Sequence, residues 1–344
     1  MKTAIIGCGA MGTVIGAFMT KNGLHVDMFD SYEAHVEKMK EEGVKIIGTE
    51  NFNVNVNAKK ISEIIDDYDV IILLTKQLAN KSILPVIKSH LVDDGIVVVL
   101  QNGVPEPYVA SYVGEGRTIG GTILWGATFI GPGKSEVTQD LSRNDHLFEI
   151  GQMNGEVGES VQKAKKVLEY MGPTKITTKL MDSRWGKLIN NACMSGMSAA
   201  CGCTFGEVLD NPKARACLSY IGREVKLCCE AEGFTLPILL HDQSPDTLGL
   251  ETEEIYKKNQ EMFLDMYSDM RTAKASMLQD LEKGRKSEVT MINGYVVQIG
   301  EKHGIKTPFN KKVVDIVHGI EDGRLQLDKN NISLFEDSMF EYKF

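Results

Sequence analysis

The feature that most restricts this chain lies at its start. Thr3-Ala4-Ile5-Ile6 is an apolar run that leads directly into Gly7-Cys8-Gly9-Ala10-Met11-Gly12, and a helical stretch continues from about Ala10 to Gly23. A strand that turns sharply into a helix needs residues without a Cβ at the turn, and the helix must then lie back on the strand. The alternation continues along the chain. Strands are expected at Ala4–Gly7, His25–Asp30, Asp69–Thr75 and Ile96–Leu100, with helices over Glu33–Glu42 and Asn80–Leu91. The third of these strands is almost continuously apolar, as a strand covered on both faces must be. A parallel sheet with helices on both sides follows.

From about Thr118 to Ile150 the pattern changes. Ile119–Leu124, Ser135–Thr138 and His146–Ile150 are short runs separated by Gly-Pro-Gly and Asn-Asp turns, and are expected to add antiparallel strands at the end of the sheet. A helix near Val157–Tyr170 and a strand at Lys175–Thr178 close this part. Beyond Lys179 the chain reads as helical, with apolar residues three and four apart over Val208–Glu232, Tyr256–Lys283 and Val289–His303. The expected organisation is an α/β doubly wound domain over residues 1–179 and an all-α domain over 180–344, in keeping with roughly 150 residues per domain.

The glycine turn carries chemistry as well as shape. Gly7 permits the tight turn, Gly9 lets a pyrophosphate approach the backbone, and Gly12 lets the helix lie close to the strand. With Cys8, Ala10 and Met11 between them, these residues present free N–H groups and the positive end of a helix dipole to phosphates. A purely structural turn is the plain alternative. Asp30 ends the second strand, where a carboxylate accepts hydrogen bonds from the adenosine ribose and repels a 2′-phosphate. No Lys or Arg follows it until Lys38, which favours NAD(H) over NADP(H). Asp30 could also serve the start of the helix near Tyr32.

A formal net charge of −9 argues against nucleic-acid or membrane-surface binding. No run of 18 apolar residues exists, and no secretory signal precedes the first strand, so a cytoplasmic location is expected. The seven cysteines are an odd number and fit free thiols in a reducing compartment. Cys201-Gly-Cys203 and Cys228-Cys229 are not CxxC pairs and the histidines are scattered, so no metal site is expected.

Further motifs stand in order: Thr75-Lys76-Gln77, Gln101-Asn102-Gly103, Arg184-Trp185-Gly186-Lys187-Leu188-Ile189-Asn190-Asn191, Ser276-Met277-Leu278-Gln279-Asp280, Ser287-Glu288-Val289, Ile292-Asn293-Gly294-Tyr295, Glu301-Lys302-His303-Gly304-Ile305 and Thr307-Pro308. This series resembles the ketopantoate reductase (2-dehydropantoate 2-reductase) family, from Met1 to about Gly323. The resemblance implies a Rossmann half and a helical half that together reduce a 2-keto acid to a D-2-hydroxy acid with NAD(P)H. For the best-known member the product is pantoate, on the way to coenzyme A. It implies Lys187 as the catalytic lysine, which donates a proton to the ketone oxygen, and Glu288 as the acidic residue near nicotinamide ribose and substrate. It also implies Asn191 and Ser276 as substrate ligands, and Lys76 and Asn102 as cofactor or substrate contacts at the C-terminal edge of the sheet. A homodimer is compatible with it. Each residue has a plainer reading: Lys187 a solvated lysine, Asn191 a local hydrogen-bonder, Glu288 a helix cap, Ser276 a helix-face serine, Lys76 and Asn102 ordinary loop residues. Trp185, Leu188 and Ile189 argue against the first, because they make the surroundings of Lys187 apolar.

The chain departs from the family where a second Asn usually follows Asn191. Ser195 stands there, with Gly196 in place of the usual Pro, and Thr290 replaces a frequent acidic residue. A serine offers one hydroxyl on a short arm where an asparagine offers two donors and an acceptor. These departures, with Asp30, keep open an NAD-dependent D-2-hydroxyacid dehydrogenase acting on branched or aromatic keto acids. A non-catalytic dinucleotide sensor is the reading from another class, and it would need neither Lys187 nor Glu288.

Overall fold

The computed structural model describes residues 1–343. The chain divides into two compact units, Met1–Leu180 and a second from Met181 onward.

The first unit runs β1 (Thr3–Ile6), α1 (Ala10–Lys21), β2 (Val26–Asp30), α2 (Glu33–Glu42), β3 (Val44–Gly48), β4 (Phe52–Val54), β5 (Asn57–Lys60), β6 (Tyr68–Leu73), α3 (Asn80–Ser89), β7 (Leu91–Val99), α4 (Glu106–Val113), β8 (Thr118–Ile123), β9 (Ala127–Gly131), β10 (Lys134–Val137), β11 (Phe148–Gly151), α5 (Glu159–Leu168) and β12 (Thr174–Ile176). Its main sheet has eight strands in the order β12-β11-β8-β7-β6-β1-β2-β5. From β8 to β5 every neighbour is parallel. The two-residue period sends alternate side chains to opposite cores. Ile5, Ile72 and Val98 join one cluster with α1 and α5, while Ile6, Ile71 and Val99 join another with α3 and α4. The doubly wound expectation holds.

The segment after Thr118 folds differently from the expected row of antiparallel strands. β8 joins the sheet in parallel, and only β11 pairs antiparallel to it. β10, the run at Ser135, leaves the main sheet altogether. It pairs in parallel with β3 and antiparallel with β9, in a separate four-stranded sheet ordered β4-β3-β10-β9. This sheet packs on α1, and Phe52 of β4 meets Phe18 edge-on at 5.0 Å. α1 is therefore covered on two sides, and its residues Gly12 through Met19 are all buried.

The second unit is helical: α6 (Leu180–Asn190), which begins at the boundary, α7 (Gly196–Cys201), α8 (Phe205–Asp210), α9 (Pro212–Ala231), α10 (Glu253–Met266), α11 (Ser276–Glu282), α12 (Val289–His303) and α13 (Pro308–Glu321). The stretch expected as one helix over Tyr256–Lys283 is broken between Met266 and Ser276. After α13 the chain is pinned to α9: Tyr220 Oη accepts the backbone N–H groups of Glu341 and Tyr342, both at 2.8 Å, and Phe335 is fully buried. All seven cysteines are free and buried. Among the described residues no helix is long and apolar enough to cross a membrane.

Candidate active site

In the first unit the three motif glycines meet different neighbours. Gly7 has φ +99°, and a Cβ there would lie 2.4 Å from the backbone nitrogen of Thr75. A Cβ on Gly12 would lie 2.1 Å from the Gly7 carbonyl oxygen. Both are locked by close approach. A Cβ on Gly9 would meet nothing within 4 Å. Gly9 is the N-cap of α1 and no side chain caps that helix. Open space over uncapped amides at a helix N-terminus is what a pyrophosphate requires, and the turn, with Cys8, Ala10 and Met11, fits a dinucleotide.

Asp30 is bonded within the chain through both carboxylate oxygens. One carboxylate oxygen accepts the Cys8 N–H at 2.7 Å and the other accepts the Tyr32 N–H at 2.8 Å, just ahead of α2. A cation that is distant in sequence is brought beside this strand end by pairing. β5 pairs with β2 so that Lys60 lies in register with Asp30, and its ammonium pairs with Glu33 in the first turn of α2. Asn57-Ala58-Lys59-Lys60 has no apolar run to mark it as a strand, so nothing in the local pattern pointed to this neighbour.

Lys76 and Asn102 follow β6 and β7 at the C-terminal edge, Lys76 exposed and Asn102 half-buried. Their loops are joined: Gln77 Nε2 donates to the Asn102 carbonyl at 2.5 Å. Gln101 and Asn80 pair amide to amide, at 2.7 and 3.1 Å, and Gln101 also donates to the Thr75 carbonyl at 2.7 Å. Gln101 stands in a quoted motif but was given no role, and Asn80 was not singled out, because buried amide pairs leave no periodic mark.

In the second unit Lys187 stands on α6 among buried Arg184, Trp185, Leu188 and Ile189, and is half-buried. Burial and the Arg184 charge pull its ammonium pKa from 10.5 down to about 8. α6 then gives way to a π-helical turn, Asn191–Ser195, in which the Gly196 N–H reaches back to the Asn191 carbonyl. Such wide turns recur at functional sites. Nδ2 of Asn191 is buried without a hydrogen-bond partner, which leaves a donor available one turn from Lys187.

The π-turn is held from behind. Asn293 Nδ2 donates to the Ala192 carbonyl at 3.0 Å and to Asn310 Oδ1 at 2.9 Å. Glu224 accepts from the Phe309 N–H, the Asn310 N–H and Asn310 Nδ2, at 2.8, 2.8 and 2.7 Å. Burial raises the Glu224 carboxyl to about 7 against these three donors. A Cβ on Gly196 would lie 2.9 Å from Asn293 Oδ1, so the glycine found in place of Pro makes room for this amide. Ser195 closes the turn and is half-buried. α11 and α12 both pack on the turn. Ser276 is the exposed first residue of α11. Glu288 occupies the N-cap of α12 and is buried, but its carboxylate does not cap the helix; Ser287 Oγ accepts the Val289 N–H at 3.3 Å.

Comparison with known proteins finds two family models, one for each part of the chain. The family model described as ketopantoate reductase PanE/ApbA matches residues 3–154, and the one described as ketopantoate reductase PanE/ApbA C terminal matches residues 179–321. A 2-dehydropantoate 2-reductase of Streptococcus pyogenes is 28% identical over 323 residues, spanning 93% of this chain and 98% of that protein. One of Archaeoglobus fulgidus is 26% identical over 324 residues, spanning 94% and 98%. Among solved structures, D-mandelate dehydrogenase with NADH and anilino(oxo)acetate shares the fold with a TM-score of 0.78 at 24% identity, over 94% of this chain and 99% of that one. With both halves matched by the models of one family, the chain belongs to the ketopantoate reductase family.

Proposed function

We propose that this chain reduces a 2-keto acid, with ketopantoate as the first candidate, to the D-2-hydroxy acid using a nicotinamide dinucleotide. The observation that carries the reading is the pairing of a half-buried amine whose pKa is about 8 with an unpartnered amide donor one turn further on. The curated relatives of matching length and name support the substrate class. When bound, the dinucleotide supplies the hydride. Gly7, Cys8, Gly9, Ala10, Met11 and Gly12 hold its phosphates and Asp30 its adenosine ribose, with Lys76 and Asn102 contributing from the neighbouring loops. Lys187 donates a proton from Nζ to the ketone oxygen as negative charge gathers there, and a pKa near the working pH suits it to that transfer. Asn191 donates to the same oxygen or to the product hydroxyl. Ser195 and Ser276 bind the substrate, and Glu288 orients it.

Lys187 must carry its proton to act, so turnover should hold below about pH 8 and fall as pH rises through that value. A kcat/KM profile that stays flat to pH 10 would remove the lysine from this role. Lys187→Ala should lower kcat by at least about 10²-fold while NADH still binds.

A second reading, a D-2-hydroxyacid dehydrogenase for branched or aromatic keto acids, is supported by the short Ser195 and Gly196 at positions where the resemblance leads one to expect Asn and Pro. NADH oxidation with a panel of 2-keto acids separates the two. Preference for ketopantoate supports the first, preference for bulky side chains the second, and no turnover at all points to a dinucleotide sensor.

For the cofactor, Asp30 supports NADH. Lys60 is the counterweight, since a 2′-phosphate could compete with Glu33 for its ammonium. Glu33→Gln should therefore tighten NADPH relative to NADH, by about two- to tenfold for one released charge. An unchanged ratio would mean that Lys60 lies beyond the reach of the 2′ position.

A further inference from the structure

The glycine turn depends on a side chain outside the motif. His35, on α2, is 1% exposed. Its Nδ1 accepts the Gly133 N–H at 2.9 Å, so the ring proton resides on Nε2. Nε2 lies 2.8 Å from the Cys8 carbonyl oxygen and 3.1 Å from Thr13 Oγ1, and the Thr13 hydroxyl donates to the same carbonyl at 2.7 Å. Two rings fix the imidazole plane: Tyr32 stacks on it at 6.4 Å and Phe129 meets it edge-on at 5.1 Å. Burial lowers the His35 pKa, against the opposing pull of Asp30 and the Cys8 carbonyl.

The consequence lies one bond away. Cys8 is held at both its peptide groups, the N–H by Asp30 and the C=O by His35 and Thr13. In a planar trans peptide the N–H points opposite to the C=O. Fixing the Cys8 carbonyl against α2 therefore aims the Gly9 N–H the other way, away from α2, and a Cβ on the same Gly9 would meet nothing within 4 Å.

We propose that His35 is a positioning residue for the dinucleotide: its neutral imidazole holds the Cys8 carbonyl and thereby orients the Gly9 amide toward the phosphates. This rests on the reading of the glycine turn as the dinucleotide site. The competing role is a staple between α2 and the β9–β10 turn through Gly133, which would be structural only.

The two nitrogens can be tested apart. Gln in place of His35 puts an amide nitrogen near the Nε2 position and keeps the donor to Cys8. Asn puts a carbonyl oxygen near Nδ1 and keeps the acceptor for Gly133. NADH alone is titrated by its fluorescence, without keto acid, and thermal unfolding is followed beside it. The expected result is that His35→Asn weakens NADH by about tenfold while His35→Gln stays within about threefold of the wild type, the scale of one hydrogen bond. His35→Gln as weak as His35→Asn, or His35→Asn as tight as wild type, overturns the proposal. Thr13→Val, nearly isosteric, removes the other donor to Cys8 and should weaken NADH a few-fold; unchanged binding there also counts against it. A wild-type chain that binds neither NADH nor NADPH instead refutes the site reading itself, whatever the variants do.

Discussion

Gly9 and Gly12 belong to one motif yet should fail in different ways when given a side chain. At Gly12 a methyl group would overlap the Gly7 carbonyl, so Gly12→Ala should damage the fold. At Gly9 nothing is in the way. Gly9→Ala should unfold within about 0.5 kcal/mol of the wild type, as unstrained changes do. It should nonetheless bind NADH at least about tenfold more weakly, because the methyl fills space the phosphates need. Equal affinity in a stable Gly9→Ala protein would mean that the phosphates lie elsewhere. The three glycines could be assigned from spacing alone, since the turn is local. Asp30 was only half legible: its position was plain, but its bond to Cys8 and its neighbour Lys60 depend on chain segments brought together by pairing. Asn293 and His35 were invisible as holders of the site for the same reason, since each acts on a backbone carbonyl far away in sequence.

At the scale of elements, the π-helical turn Asn191–Ser195 is the clearest departure from regular periodicity. A regular helix would place Lys187, Asn191 and Ser195 in a slowly drifting row; one wider turn changes the direction of the last relative to the first. Gly196 is where this arrangement can be disturbed with one atom group. Gly196→Ala would crowd Asn293 at 2.9 Å and should cost about 1–3 kcal/mol of stability, the usual range for overpacking. It should also raise the KM for the keto acid while NADH affinity stays unchanged, since the glycine turn belongs to the other unit. A stability loss with unaltered KM would show that the turn does not set the substrate ligands. Local patterning predicted α1, α2, α3, α5 and α12 and the parallel strands β1, β2, β6 and β7, but it ran α10 and α11 together and gave no helix at α4 or α13. It missed β3, β4, β5 and β9, which are short or carry mixed polarity, and it placed the Ser135 strand in the wrong sheet, because a run of alternating residues does not say which edge it will join.

Across the whole molecule, stability should depend on pH through Glu224. Its carboxyl sits near 7 in the folded chain against 4.5 for an ordinary Glu. Between those values the folded state binds more protons than the unfolded one, so stability falls as pH rises from about 5 to 7. A shift of that size corresponds to a few kcal/mol, about 1.4 for each pH unit. Glu224→Gln should be less stable at low pH, where it misses its donors, and should flatten the dependence on pH; melting curves at several pH values give the comparison. A wild-type slope retained in the variant would assign it to other groups.

The small sheet over α1 also bears on how the polypeptide is made. α1 is complete by Lys21, yet half its cover comes from β9 and β10, which end at Val137. β3 must wait for β10 across the intervening chain from β4 to β9, and a pairing so distant in sequence forms slowly. A ribosome that has released only the first hundred residues therefore presents the flank of α1 that β9 and β10 cover to the surrounding medium. An N-terminal fragment ending before Ala127 should clump rather than fold, and the growing chain needs protection for as long as that stretch takes to emerge.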